Sequence, residues 1–383
     1  MAGVQGSRSF TLLLVATVGT FAGYSILLPV VPLWAQAGGA GSAGAGATTA
    51  VFMLFTVVTQ LMMPALLSRF GIRELLVCGA ALMAVLSVVF TASAQLWVLL
   101  VVSAGRGVGF GLVTVTSSLL IAVLLPEAER GRGSGRFGAA VGLPNIAGLP
   151  AGVWLVEHVG YREVFIVAAV AGMVGTLITM LMRVPGERHG RDGSDRRPGR
   201  FRLPALALFL PAVALITTAV ASGGVVTFLA VALPSAGVTS WALFVFGLFM
   251  IVGRWSAGAW SDRYRRPVAL TLGTVLAGAG IVAIAAATAG WPAVVALIGA
   301  ALFGAGFGAV QNDTLIILFQ RAGSRRIGEA SAVWNIAYDA GFGIGAIGVG
   351  AFAAWADFGL AFAATAAVIA ATLLTHLRRP PSK

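Results

Sequence analysis

Twelve apolar runs, each long enough to cross a bilayer as a helix, follow one another along this chain with mostly short polar joints between them. A helix needs about 20 residues to span the hydrocarbon. The runs cover approximately 10–34, 47–67, 74–94, 96–122, 135–156, 163–182, 203–233, 241–260, 268–289, 292–318, 328–354 and 358–377. Lipid offers no water to an open strand edge, so every span must be helical. The expected class is an all-α membrane protein with twelve transmembrane helices.

One joint differs from the rest. Arg183–Arg202 holds seven arginines, a histidine, three acids, two prolines and four glycines, and it falls near the midpoint of the chain. The expected organisation is a six-helix bundle over 1–183, a basic linker over 184–202 and a second bundle over 203–383. Glycine and alanine also dominate Gly38 to Gly46, which reads as a flexible connector.

Hydrophobic residues make up 58% of the 383 and charged residues 10%, against about 25% charged in soluble domains. The net charge of +12 does not point to nucleic acid, because the arginines sit in joints between spans rather than on one soluble face. Cys78 is the single cysteine, which excludes an internal disulfide framework and a thiolate metal cluster; inside an apolar run it reads as a packing residue. The first run, Phe10 to Trp34, is too long for a signal core and reads as an uncleaved first span.

Cytoplasmic joints retain positive charge. Arg8, Arg69, Arg73, Arg130, Arg132, Arg136, the linker, Arg263, Arg265, Arg266, Arg321, Arg325, Arg326, Arg378, Arg379 and Lys383 all fall on one side, whereas the other has Arg162 alone. Both termini are then cytoplasmic. Trp34, Trp97, Trp154, Trp241, Trp291 and Trp355 mark the opposite ends of spans, as an interfacial aromatic belt requires.

The halves echo each other. Gly109-Phe110-Gly111 matches Gly306-Phe307-Gly308 at an offset of 197, Asn145-Ile146-Ala147 matches Asn335-Ile336-Ala337 at 190, and Ser68-Arg69 matches Asp262-Arg263 at 194. Offsets near half the chain argue for a duplicated six-span unit, and an even span count makes the two copies parallel repeats.

At these residues the chain resembles the major facilitator superfamily. Gly258 to Arg266, with Asp262 and Arg263, resembles the family's cytoplasmic G-x-x-x-D-R-x-G-R-R loop without its second glycine; Pro64 to Arg73 keeps Arg69 and Gly71 but has Ser68 for the aspartate. The resemblance implies that these loops gate the cytoplasmic side, with Asp262 and Arg263 the better-preserved latch. Arg106 to Gly111 resembles the family's span-4 arginine motif, and Gly142 to Gly152 is similar to the glycine-proline run of the exporter branches.

Charges inside spans are costly and functional by default. At 1.5 Å per residue Arg106 lies about 13 Å from the outer interface and Asp339 about 15 Å from the inner one; Asp313 and Arg254 lie about 10 Å and about 12 Å from the cytoplasmic side. Asp339, Asp313, Arg106 and Arg254 are the candidate proton-coupling groups. Asn335, Tyr338, Asp339 and Phe342 share one helical face, and with Trp334, Gln311, Asn312, Tyr24 and Asn145 they are the candidate lining of a substrate cavity. Structural readings compete with each. Arg106 and Asp339 can form a fixed ion pair, Asn335 and Asn145 can hydrogen-bond between helices, Asp313 can pair with Arg321 or Arg325, and Arg254 can snorkel to the inner surface or pair with either aspartate. Gly341, Gly345 and Gly348 read as close-packing positions.

These features favour secondary active export of a small amphipathic molecule across the cytoplasmic membrane in exchange for protons, by a monomer. Proton-coupled import is the alternative within the same fold, and a non-transporting receptor or scaffold the alternative outside it. No cofactor, metal or nucleic acid is expected, and no enzymatic site is legible.

Overall fold

The computed structural model describes residues 2–126, 129–184, 206–264, 269–323 and 326–377. These form twelve helices: α1 (Ala2–Ala37), α2 (Gly41–Leu67), α3 (Ile72–Val89), α4 (Leu96–Leu124), α5 (Arg130–Val159), α6 (Tyr161–Met180), α7 (Leu206–Ala232), α8 (Ala236–Tyr264), α9 (Ala269–Thr288), α10 (Ala293–Ala322), α11 (Ile327–Trp355) and α12 (Phe358–Leu377). No strand occurs among the described residues. Eleven helices are long and apolar enough to cross a membrane, and the described apolar part of α12 is the shorter Phe358–Leu373. The linker over 185–202, together with Arg265, Arg266, Arg325, Arg378, Arg379 and Lys383, lies outside the described residues.

Glycine ends two of the long helices. Gly160 after α5 and Gly323 after α10 have φ of 96° and 70°, a left-handed conformation in which a β-carbon is strained. Elsewhere the helices run further than expected: α8 continues through Gly258, Asp262 and Arg263 to Tyr264, so the family-like loop motif is largely helical. α2 begins at Gly41, which removes most of the expected flexible connector. The reason is packing, since a β-carbon at Gly46 would collide with the carbonyl oxygen of Ala346 on α11. These small residues form a tight helix face. Cys78, expected to pack, is exposed on α3.

The chain forms two compact units: Met1–Val30 with Leu54–Phe201, and Val31–Met53 with Arg202–Lys383. Within the second, the first half of α2 packs on α7 and α11. Gly46 meets Phe228 and Ala346, Gly350 meets Ser42, Gly343 meets Met53, and Thr227 donates to Thr49.

The duplication is visible as helix crossings. Gly111 of α4 sits on the Thr56 carbonyl of α2, and Gly308 of α10 sits on the Met250 carbonyl of α8. Gly79 of α3 crosses Gly109 of α4 as Gly273 of α9 crosses Gly306 of α10. Gly152 of α5 abuts the Ile26 carbonyl of α1 as Gly345 of α11 abuts the Val220 carbonyl of α7. At each crossing a side chain would hold the two backbones apart, and close approach is what holds helices together in lipid. The offsets are 194 for α1, α2 and α3, 197 for α4 and 193 for α5. The Gly-Phe-Gly match is therefore in structural register. The Asn-Ile-Ala match at 190 is three residues out, and the position equivalent to Asn145 is Tyr338.

Candidate substrate and coupling site

In the first unit the polar candidates are already engaged. Arg106 on α4 is 4% exposed, and its guanidinium carbon lies 5.6 Å from the centre of the Phe90 ring. That is cation–π range, worth about 2 kcal/mol or more when desolvated. Tyr24 on α1 is buried and stacks on Phe110 at 4.3 Å, close enough to Arg106 to interact with it electrostatically. Asn145 accepts a hydrogen bond from Ser25 Oγ at 2.7 Å and donates to the Val141 carbonyl at 3.0 Å. It therefore joins α5 to α1.

The cytoplasmic-loop candidates divide. Arg69 and Arg263 are exposed, and the Asp262 side chain lies outside the described residues. Gly71 caps α3, donating its N–H to Glu74 Oε2 at 3.2 Å. Sequence reasoning missed Arg73, whose guanidinium donates to the Met180 carbonyl and so ties α3 to the end of α6. An arginine in a short joint gave no signal that it would reach back to a helix end.

The second unit holds the richer constellation, because α10 presents two different faces. Gly304, Gly308 and Gln311 turn to α8, where the first two meet Phe246 and Met250 and Gln311 accepts from Arg254. Gly306, Val310 and Asp313 turn to α9, where they meet Ala277, Gly273 and the backbone of Leu270. Asp313 is fully buried. Its Oδ1 is 3.5 Å from Asn312 Nδ2, its Oδ2 has no hydrogen-bond partner, and the carboxyl lies near the backbone of Leu270. A carboxylate there faces the start of α9, where the helix dipole favours negative charge.

On α11, Asp339 is 6% exposed and interacts electrostatically with Tyr338, which in turn interacts with Arg254. Tyr338 is also one ring in an aromatic series. It lies 5.8 Å from Trp334, 5.9 Å from Phe307 and 6.2 Å from Phe342, and Phe307 continues to Phe303 and Phe246. Trp334 Nε1 donates to Thr314 Oγ1 at 3.2 Å. Asn335 donates back to its own helix at Ser331.

Arg254 on α8 is exposed. Its Nη1 reaches Gln311 Oε1 at a long 3.5 Å, and among the described residues no carboxylate oxygen lies within 4.0 Å of it. Four residues on, a β-carbon at Gly258 would be in ordinary contact with the Asn312 amide at 3.7 Å. This glycine leaves room rather than allowing a close crossing. The structure thus gathers Arg254, Gln311, Asn312, Trp334, Tyr338 and Asp339 in one unit, and turns Asp313 to another face. Among the described residues no three of His, Cys, Asp and Glu are placed to hold a metal.

The family model described as Major Facilitator Superfamily matches residues 13–346, and again 234–383. The chain belongs to that superfamily. An uncharacterised MFS-type transporter of Mycobacterium tuberculosis is 27% identical over 188 residues, which is 48% of this chain and 27% of the relative. The riboflavin transporter RibZ of Clostridioides difficile is 25% identical over 173 residues, 45% of this chain and 37% of the relative. The multidrug resistance protein Stp of M. tuberculosis is 27% identical over 155 residues, 40% and 28%. These matches span 27% to 37% of the relatives' length.

Two solved POT family transporters share the fold. One is in complex with a thioalcohol-conjugated peptide, with TM-score 0.78, 12% identity, and coverage of 97% of this chain and 95% of that one. The other is in complex with 5-aminolevulinic acid, with TM-score 0.79, 13% identity and the same coverage. At this identity the likeness shows a shared fold over 97% of this chain.

Proposed function

We propose that the chain is a secondary active transporter of the cytoplasmic membrane, both termini cytoplasmic, which exports a small amphipathic molecule in exchange for protons. It works as a monomer of two six-helix bundles joined by the basic linker 184–202. The observation that carries this reading is Asp339, a carboxyl buried on a membrane-spanning helix beside Tyr338. Burial disfavours a charged carboxylate and neighbouring cationic or polar groups favour it. In this reading Asp339 takes up and releases a proton as access to it alternates. Arg106, buried on α4, is the corresponding cation of the first unit.

Export over import is favoured by the glycine-proline run of α5 and by the partial match to a multidrug resistance protein. The run has a packing role that fits a moving part: Gly148 and Gly152 hold α5 against α1 at Ser25 and Ile26.

The test is transport in proteoliposomes of defined orientation under an imposed pH gradient. Wild type should move substrate against its gradient, and Asp339→Asn should lose that coupling while still allowing downhill exchange. Gradient-driven accumulation that survives Asp339→Asn removes the coupling assignment. Accumulation with the sidedness of uptake into cells replaces export by import.

A further inference from the structure

α8 shows which way Arg254 looks. Its exposed large apolar residues Trp241, Leu248, Phe249, Val252, Trp255 and Trp260 occupy one side of the helix, the side expected to meet lipid. At 3.6 residues per turn Arg254 lies about 160° round the helix from the centre of that side. It falls instead on the line of Ser240 and Gly247, spaced seven residues apart, both of which are buried. That line is buried at Ser240 and Gly247 and exposed at Arg254. Arg254 keeps exposed surface although neighbouring protein desolvates its side chain, on the side of α8 away from the lipid-facing residues. Snorkelling along lipid does not describe this side chain.

What surrounds it is equally specific. It reaches the Gln311 amide at long range; one turn along α10 from Gln311, Phe307 stacks on Tyr338, which lies within electrostatic range of Arg254, with Trp334 one ring beyond. Gly258 leaves space beside Asn312 on the same side of α8. A guanidinium in a membrane-spanning helix is costly unless something compensates it, and no described carboxylate does so within ion-pair distance. Its planar fork matches a carboxylate, sulfonate or phosphate, and adjacent aromatic faces suit a flat apolar body.

We propose that Arg254 is the anion-recognition point of the substrate site, and that the molecule carried joins an acidic group to a planar apolar part lying against Tyr338 and Trp334. This rests on the transport reading above and narrows its amphipathic molecule to an amphipathic anion. Arg254 is then a substrate residue rather than a proton-coupling one.

The full chain in neutral detergent, free of anionic lipid, is tested by thermal shift with three probes of one shape. These are 1-naphthoate, 1-naphthylmethanol and 1-naphthylmethylammonium. The carboxylate should raise Tm most, and Arg254→Gln should weaken its apparent affinity at least tenfold, on the order of 1.4 kcal/mol, with Arg254→Lys in between. The alcohol should bind wild type and Arg254→Gln alike. Gly258→Leu keeps the charge but fills the space beside it, and should weaken naphthoate comparably, which covers the case that Arg254→Gln does not fold.

Naphthoate affinity unchanged in both variants, an ammonium probe that binds as tightly as the carboxylate, or no naphthoate shift at all overturns the proposal. Asp339→Asn separates the two readings. If its gradient-driven flux persists while naphthoate binding still depends on Arg254, the coupling assignment fails and the anion site stands; the reverse pattern removes the anion site alone.

Discussion

Ser25 on α1 donates its hydroxyl hydrogen to Asn145 on α5 across 2.7 Å, one turn before Gly148 packs on Ser25 itself. The polar contact and the close backbone approach are two parts of one helix crossing. Hydrogen bonds between membrane helices average about 0.6 kcal/mol. Asn145→Ala should therefore destabilise the detergent-purified protein by about 0.5–1 kcal/mol and leave substrate affinity near wild type. Asn145→Ala together with Ser25→Ala should cost little more than either alone. A tenfold loss of substrate affinity in Asn145→Ala would return Asn145 to the cavity.

The crossings predict a contrast along α11. A β-carbon at Gly345 would collide with the Val220 carbonyl, whereas nothing lies within 4 Å of one at Gly348. Gly345→Leu should lower stability by about 1–3 kcal/mol or prevent folding, and Gly348→Leu should be close to neutral. Gly152→Leu on α5, against Ile26 of α1, should behave as Gly345→Leu does. Thermal unfolding of the three variants side by side checks this.

Phe90 is fully buried, with Arg106 over one ring and Phe165 at 5.4 Å. Phe90→Leu keeps an apolar side chain but removes the ring quadrupole, so stability should fall by about 1–3 kcal/mol. Transport should fall with it if Arg106 is the first unit's functional cation. In an Arg106→Gln background, Phe90→Leu should cost less, and equal costs in the two backgrounds would show that the ring serves packing alone.

Arg326 and Glu329 at the start of α11 supply the opposite expectation. Their 2.6 Å pair is about 42% and 43% exposed, and exposed pairs of this kind contribute about 0–1 kcal/mol. Glu329→Gln should leave Tm and flux nearly unchanged, and the little it costs should shrink further at high salt.

The membrane class, the helical spans and the duplication were legible because they depend on long apolar runs and recurring small residues. The functional details were less so, for identifiable reasons. Asn145 and Asn335 sit in identical tripeptides, yet one bonds across helices and the other to its own backbone, because the sequence match is three residues out of structural register. Asp313 and Gln311 are two residues apart on α10 and consequently face different helices. Only the partners at Leu270 and Arg254 tell them apart. Gly41 to Gly46 carried the composition of a loose connector, but composition cannot report that Ala346 and Gly350 of a distant helix receive it.

The matched glycine crossings have an implication for how the two copies diverged. Backbone coordinates at these points cannot drift without forcing helices apart, whereas the side chains beside them are free to differ. By the crossing registers, α2 carries Gln60 where α8 carries Arg254, and α10 carries Phe303 where α4 carries Arg106. Each cation thus has an uncharged counterpart in the other copy, on an equivalent scaffold. Chemical asymmetry between the copies resides in a few exchangeable side chains, so charge can be moved from one copy to the other without redrawing the frame.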